Sequence, residues 1–226
     1  MHTNVNLDSV VGALGLLGAG LLLAALGIVF VHALLRRKAE RALGALLVCG
    51  VVSGLYVVLM LGFSVSSNEK VLAAGVEKYF CELDCHLAYS VVGVRRAKTL
   101  GGATAAGEFH IVTLRTRFDE HTTSPKRGDR PLTPNPRSVV VTDEQGRAFP
   151  ASELGQNALA AAGGAGLPLD TPLRPGQSYT TELVFDLPAD ARDPVLLLNE
   201  SMLTTRFIIG HENSPFHRKT RFSLEP

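Results

Sequence analysis

Tryptophan is absent from the sequence, and its 226 residues include only ten Phe and four Tyr. Stacking bases or sugars takes flat aromatic faces, so a platform for either is poorly supplied. Charge of one sign is also missing: 22 Lys and Arg stand against 21 Asp and Glu, for a formal net charge of +1. That leaves no global field to steer nucleic acid or acidic substrates. No Gly-x-Ser-x-Gly elbow occurs, and Gly101-Gly102 and Gly163-Gly164 lack the strand–turn–helix setting of a phosphate-cradling loop. Cysteine is scarce, with Cys49 inside an apolar run and Cys81 and Cys85 as a close pair. No catalytic constellation emerges, and no small-molecule substrate is indicated.

Apolar residues are unevenly spread. Val10 to Leu35 is an apolar stretch of about 26 residues, broken only by His32 and stopped by Arg36-Arg37-Lys38. A second run extends from Ala42 to Phe63. Each exceeds the roughly 20 residues needed to cross a bilayer core of about 30 Å. A cleaved secretory signal competes for the first run. Such signals open on basic residues and end at a small-residue cleavage site, whereas Met1 to Ser9 holds no Lys or Arg and the run ends on charge. The positive-inside rule sets the orientation. Arg36, Arg37, Lys38 and Arg41 crowd the link against a single Glu40, so loop 36–41 is expected in the cytoplasm and both termini outside.

Small residues line these runs. Gly12, Gly15 and Ala19 share one face of the first and Gly20, Ala24 and Gly27 another; in the second, Ala45, Cys49 and Ser53 lie beside Gly50 and Gly54. Small faces let helices approach closely in lipid. One would serve the hairpin itself, and a second suggests another membrane protein as partner. His32 lies near the cytoplasmic boundary and reads as an interfacial residue reaching the headgroups rather than a haem or chlorophyll ligand, there being no second intramembrane His.

From about Tyr89 the pattern changes to period two. Tyr179, Thr181, Leu183, Phe185 and Leu187 alternate with Thr180, Glu182, Val184 and Asp186, as in a half-buried strand. Phe109 to Phe118, Ser138 to Thr142, Val195 to Leu198, Arg206 to Ile209 and Thr220 to Leu224 are further β-rich runs. About seven short strands with turn signals between them predict an all-β sandwich. Asp119 to Pro136 is polar and Pro-rich and reads as a long exposed loop; Asn157 to Gly166 is an Ala/Gly run with room for one helical turn.

Three elements carry a resemblance: the turn Asp143 to Gly146, the pair Pro175-Gly176, and the strand end Phe185-Asp186-Leu187-Pro188. Their order from Tyr89 to Leu224 resembles the telokin-like, immunoglobulin-type domains of bacterial membrane-anchored and secreted proteins. The resemblance implies an immunoglobulin-like fold in a bacterial inner-membrane protein and says almost nothing about activity. The hairpin, the Asp119 to Pro136 loop and the Cys-containing segment depart from that pattern.

Cys81-Glu82-Leu83-Asp84-Cys85-His86 is the one chemically suggestive segment. At i, i+4 in a helix the two Cα atoms lie about 6 Å apart, within reach of a disulfide, and in a straight strand about 13 Å apart, beyond it. The leading expectation is therefore a Cys81–Cys85 disulfide outside the membrane. Copper is the sharper alternative, with Cys81, Cys85 and His86 as soft ligands that His110, His211 or His217 could join; two thiols are the third. The architecture also resembles subunit II of haem-copper oxidases. That family, however, places Cys-x3-Cys-x3-His-x2-Met near the end of its sandwich, and here the corresponding positions are Tyr89 and Val92. His211 and His217 lie in a polar run before the last strand and read as solvated loop residues.

The expected architecture is a two-helix transmembrane hairpin (1–64, helices about 10–35 and 42–63), a juxtamembrane linker with Cys81 and Cys85 (65–88), and an extracytoplasmic all-β immunoglobulin-like sandwich (89–226). The expected function is that of a non-catalytic accessory subunit, its helices packed in a larger integral membrane complex, of which a respiratory or photosynthetic assembly is one example, and its sandwich covering partners outside. A periplasmic copper-binding or thiol-redox protein is the alternative.

Overall fold

The structure is a computed structural model that describes residues 2–4, 9–82 and 85–225. In chain order, strand β1 (His2–Thr3) precedes helices α1 (Ser9–Leu35) and α2 (Ala39–Val65). Strands β2 (Lys70–Leu72), β3 (Lys78–Glu82), β4 (Cys85–Leu100) and β5 (Ala103–Asp119) follow. After a stretch opened by a 3-10 helix (Glu120–Thr122) come β6 (Arg137–Thr142), β7 (Ala148–Pro150), helix α3 (Glu153–Ala161), β8 (Ser178–Leu187) and β9 (Val195–Glu200). A second 3-10 helix (Leu203–Phe207) precedes β10 (Thr220–Ser223). The chain divides into two compact units. One comprises Met1–Asn4, Glu69–Ser201 and Lys219–Pro226; the other comprises Val5–Asn68 and Met202–Arg218.

In the helical unit, α1 and α2 are 27 residues each, and both are long and apolar enough to cross a membrane. They meet along a regular seam. On α1 the less exposed positions include Leu16, Ala19, Leu23, Leu26, Phe30 and Ala33, and on α2 Ala42, Ala45, Cys49, Val52, Tyr56 and Met60. Spacings of four and three residues keep one stripe facing the partner helix, as in left-handed antiparallel packing. The remaining Leu and Val side chains point outward: Leu14, Leu21, Ile28, Leu47 and Val51 are each more than half exposed.

In the β unit the described residues form two five-stranded sheets, ordered β1-β3-β4-β5-β8 and β2-β10-β9-β6-β7. Strand alternation builds the core. Val112, Leu114 and Phe118 of β5 join Leu87, Tyr89 and Val91 of β4 and Phe185 and Leu187 of β8, with Val141, Leu196, Leu198 and Phe222 of the second sheet, in one buried cluster. The opposite face of β5 places Phe109 and Ile111 with Val184 and Leu159 in a second cluster under α3. Ser152 caps α3 by accepting a hydrogen bond from the Gly155 amide at 3.1 Å. Gly146, at φ +77°, closes the expected turn from Asp143. Pro150 sits on the edge strand β7, where no ladder donor is lost to a further neighbour.

The structure moves several expected boundaries. Both helices run longer than the apolar runs, because the first turn of α2 also takes in Ala39, Glu40 and Arg41, and the link shrinks to 36–38. The 65–88 stretch is not a free linker: β2, β3 and the start of β4 lie within it and pair into both sheets. Only the first part of the Ala/Gly run, Asn157 to Ala161, is helical, as the end of α3, which starts at Glu153. Arg206 to Ile209 is not a strand but overlaps the 3-10 helix, and the carbonyls that flank that helix are taken locally. Thr205 Oγ1 donates to the Met202 carbonyl at 2.6 Å, and Ser214 Oγ to the Ile208 carbonyl at 2.6 Å. Such side-chain bonds compete with a ladder for the same backbone groups.

A Cβ on Gly107 would stand 1.9 Å from the Leu187 carbonyl oxygen, beside the Glu108–Leu187 pair. Gly107→Ala should therefore push β5 from β8 and cost about 1–3 kcal/mol. Denaturant unfolding of the detergent-solubilised full chain reads this as a lowered midpoint; an unchanged midpoint would contradict the close approach.

Candidate functional site

Cys81 and Cys85 do not share a helical turn. They belong to successive strands of a β3–β4 hairpin in which Cys81 pairs with His86 and Glu82 with Cys85. The helical geometry behind the expected disulfide is thus absent, because the segment joins strand pairing instead. Leu83, Asp84 and the Cys85 side chain lie outside the described residues, and the disulfide itself with them. The hairpin does bring Cys81 and His86 together, with Sγ 3.1 Å from Nε2. His110 cannot join them. It pairs with Arg96 on the β4–β5 ladder while His86 pairs with Asp119. Nine residues of β5 separate those two rungs, a span of about 30 Å at strand rise. Among the described residues no group of three or more His, Cys, Asp or Glu is placed to hold a metal ion.

Strand alternation also turns charge inward, a feature the sequence reading missed. Lys78, Phe80 and Glu82 of β3, Arg137 of β6 and Glu200 of β9 are all buried at the ends of strands whose other inward residues are apolar. The Arg137 guanidinium is wholly buried and pairs with Glu82 and, at 3.4 Å, with Glu200. It stacks 4.3 Å from the Phe80 ring centroid and donates through Nε to the Tyr89 hydroxyl at 3.2 Å. Lys78 Nζ donates to the carbonyls of Leu198 at 2.8 Å and Thr220 at 3.1 Å. Burial pushes the Glu82 carboxyl up, with Arg137 pulling against it, and pushes the Tyr89 hydroxyl up to about 12. The register Arg137-x-Val139-x-Val141 and Leu196-x-Leu198-x-Glu200 was readable as alternation that runs on into charge.

On the sheet surface Glu77 takes two hydrogen bonds from Arg117, at 2.8 and 2.7 Å, and one from the Tyr79 hydroxyl at 2.8 Å. Elsewhere in the β unit, a cleft of about 410 Å³ is lined by Arg96, Glu108, His110, Arg192, Asp193 and other residues. His110 is buried there, and its Nδ1 has no hydrogen-bond partner among the described residues. Burial, then the Arg96 charge, pushes its imidazole below the ordinary value, against Glu108 at 3.6 Å. The cleft holds both signs of charge around the buried imidazole.

His211 and His217 are not solvated: both are buried, together with Glu212 and Ser214, in the segment 202–218 of the helical unit. The β-rich reading of that segment overlooked how closely it packs on the helices. A Cβ on Gly12 would meet the Ile209 carbonyl oxygen at 2.7 Å, the Tyr56 hydroxyl donates to the Phe207 carbonyl at 2.5 Å, and Ser67 Oγ accepts from the Arg218 amide at 2.8 Å. His32 is exposed on α1, in its last turn.

Two solved structures are similar to this chain. MPT63, a secreted protein from Mycobacterium tuberculosis, aligns with a TM-score of 0.43 at 12% identity, over 71% of this chain and 99% of that one. The yjhA protein from Bacillus subtilis aligns with a TM-score of 0.41 at 13% identity, over 69% of this chain and 100% of that one. No protein-family model matches the chain, and comparison with curated proteins gives no significant match.

Removing one member of the buried cluster strands the rest. Arg137→Met leaves Glu82 and Glu200 buried without their guanidinium and should cost about 3–5 kcal/mol. Replacing Glu82 by Leu in the same chain should recover part of the loss, read as a double-mutant cycle in denaturant. Acid sensitivity has a separate source. The Arg117 hydrogen bonds hold the Glu77 carboxyl below the usual range. The stability it contributes is complete above the ordinary Glu value of about 4.3 and lost as pH falls through the lower folded value. Glu77→Gln should flatten the fall in melting temperature below about pH 4; an identical acid limb in both proteins would count against this assignment.

Proposed function

We propose that the chain is a non-catalytic, membrane-anchored subunit of a larger integral membrane complex in a bacterial inner membrane. In this reading α1 and α2 span the bilayer, the basic 36–38 link faces the cytoplasm, and the β unit is an immunoglobulin-like sandwich outside the cell membrane. One observation supports it above the others. A Cβ on Gly18, Gly20, Gly44, Gly50 or Gly54 would meet nothing within 4 Å. The α1–α2 seam thus leaves these small positions unused, and small residues on a lipid-facing surface favour close approach of a further helix. The outward Leu and Val side chains between them suit lipid or another apolar helix.

Gentle detergent extraction followed by native gels and mass spectrometry tests the proposal. The native protein should migrate as a stable assembly, and Gly50→Leu with Gly54→Leu should release a folded monomer. A lone monomer at native abundance would sink the idea. A second reading, copper-binding or thiol-redox chemistry, draws on the 3.1 Å approach of Cys81 Sγ to His86 Nε2. Metal analysis of the purified full chain, with Cys81→Ser as control, decides it: copper lost on that substitution supports the second reading, and no copper in either protein ends it.

A further inference from the structure

The segment 202–218 is built inside out. Its polar residues Thr205, His211, Glu212, Ser214 and His217 are all buried, while Met202, Leu203, Phe207 and Phe216 are exposed, Phe216 to 79%. In water this arrangement is upside down, because the large apolar side chains should be the ones withdrawn from solvent. Phe216 adds a second anomaly. Its backbone sits at φ +62°, a region that bulky side chains avoid, and it is held there with the ring pointing away from the protein.

The position of the segment along the helices gives the reason. The Phe207 carbonyl accepts from Tyr56, which lies nine residues before Val65, the last residue of α2. At helical rise that is about 13 Å below the end of the helix. A hydrocarbon core of about 30 Å measured up from Ala42, just past the basic link, reaches about 20 residues along α2 and so extends beyond Tyr56. Irregular backbone at such depth needs its polar groups taken up by protein. Three carbonyls are taken up in this way, those of Met202, Phe207 and Ile208, by the hydroxyls of Thr205, Tyr56 and Ser214, and Asn213 donates to Thr205 Oγ1. Gly12 leaves the room for Ile208 and Ile209 to lie directly on α1. Arg206 and Arg218 are both exposed, with long apolar stems of the kind that lets a charge reach a headgroup.

We propose that the β9–β10 connection is a lipid-inserted loop, seated in the outer leaflet against the hairpin, with Leu203, Phe207 and Phe216 in contact with acyl chains. This rests on the reading of α1 and α2 as bilayer-spanning, and its occupant is phospholipid rather than a protein partner.

The absence of tryptophan permits a direct test, since every introduced Trp is the sole one. Four single variants of the full chain are reconstituted in phosphatidylcholine–phosphatidylglycerol vesicles carrying brominated acyl chains: Phe207→Trp, Phe216→Trp, Val57→Trp on α2 and Leu154→Trp on α3. The expected result is loss of emission at positions 207, 216 and 57, strongest at 207 and 216 for chains brominated near the headgroup, with position 154 unquenched. Quenching at 57 without quenching at 207 and 216 overturns the inserted loop and leaves the spanning hairpin standing. No quenching at 57 overturns both. Gly12→Leu, which displaces Ile208 and Ile209, should reduce quenching at 207 while leaving that at 57 unchanged; undiminished quenching at 207 overturns the docked geometry.

Discussion

Nearly every Leu and Val of α1 and α2 outside the seam points away from the protein, and that surface cannot be left in water. At about 25 cal/mol per Å² of apolar area, withdrawing it from water is worth far more than the few kcal/mol by which a domain is ordinarily stable. The requirement constrains the rest of the helical unit. The helices keep all their backbone bonds internal, the link between them is short and basic, and the irregular segment beside them ties its carbonyls to hydroxyls.

The β unit obeys the opposite rule with one exception. Its core is built by period-two alternation, but at the strand ends the alternation continues into Lys78, Glu82, Arg137 and Glu200. Burying such groups is costly unless each is paired, and Phe80 and Tyr89 supply ring face and hydroxyl to complete the set. An apolar core of equal volume would hold the sheets at least as well. The cluster ties β3, β6 and β9 together, with Arg137 set between Glu82 and Glu200.

Much of this was legible in the sequence. Two runs above the length of a bilayer core announced the helices, and the alternation on Tyr179 to Leu187 and Phe109 to Phe118 announced β8 and β5 within a few residues. What escaped reading was set by partners distant in the chain. Lys78 to Glu82 is short and mixes charge with aromatics, so nothing local marks it as a buried strand; it becomes one by pairing with β4. Arg206 to Ile209 has the composition of a strand, yet Tyr56 and Ser214 claim the carbonyls of Phe207 and Ile208. His211 and His217 look solvated because their neighbours are polar, and they are buried by packing within the helical unit that no local pattern encodes. The candidate site was legible only as far as Cys81 and His86, whose adjacency survives the change from helix to hairpin.

The parallel pairing of β2 with β10 has a mechanical side. Both strands begin within a few residues of the helical unit, β2 after α2 and β10 after Arg218, and they run in register from Lys70 beside Thr220. Tension transmitted along the chain therefore arrives at two adjacent strands drawn in the same direction, and the ladder between them carries little shear. The strain passes instead to the antiparallel contact of β10 with β9, whose ladder must slip along its length rather than unzip bond by bond. Load on the two strands thus reaches the sheet through the Phe222–Leu196 and Ser223–Val195 pairs.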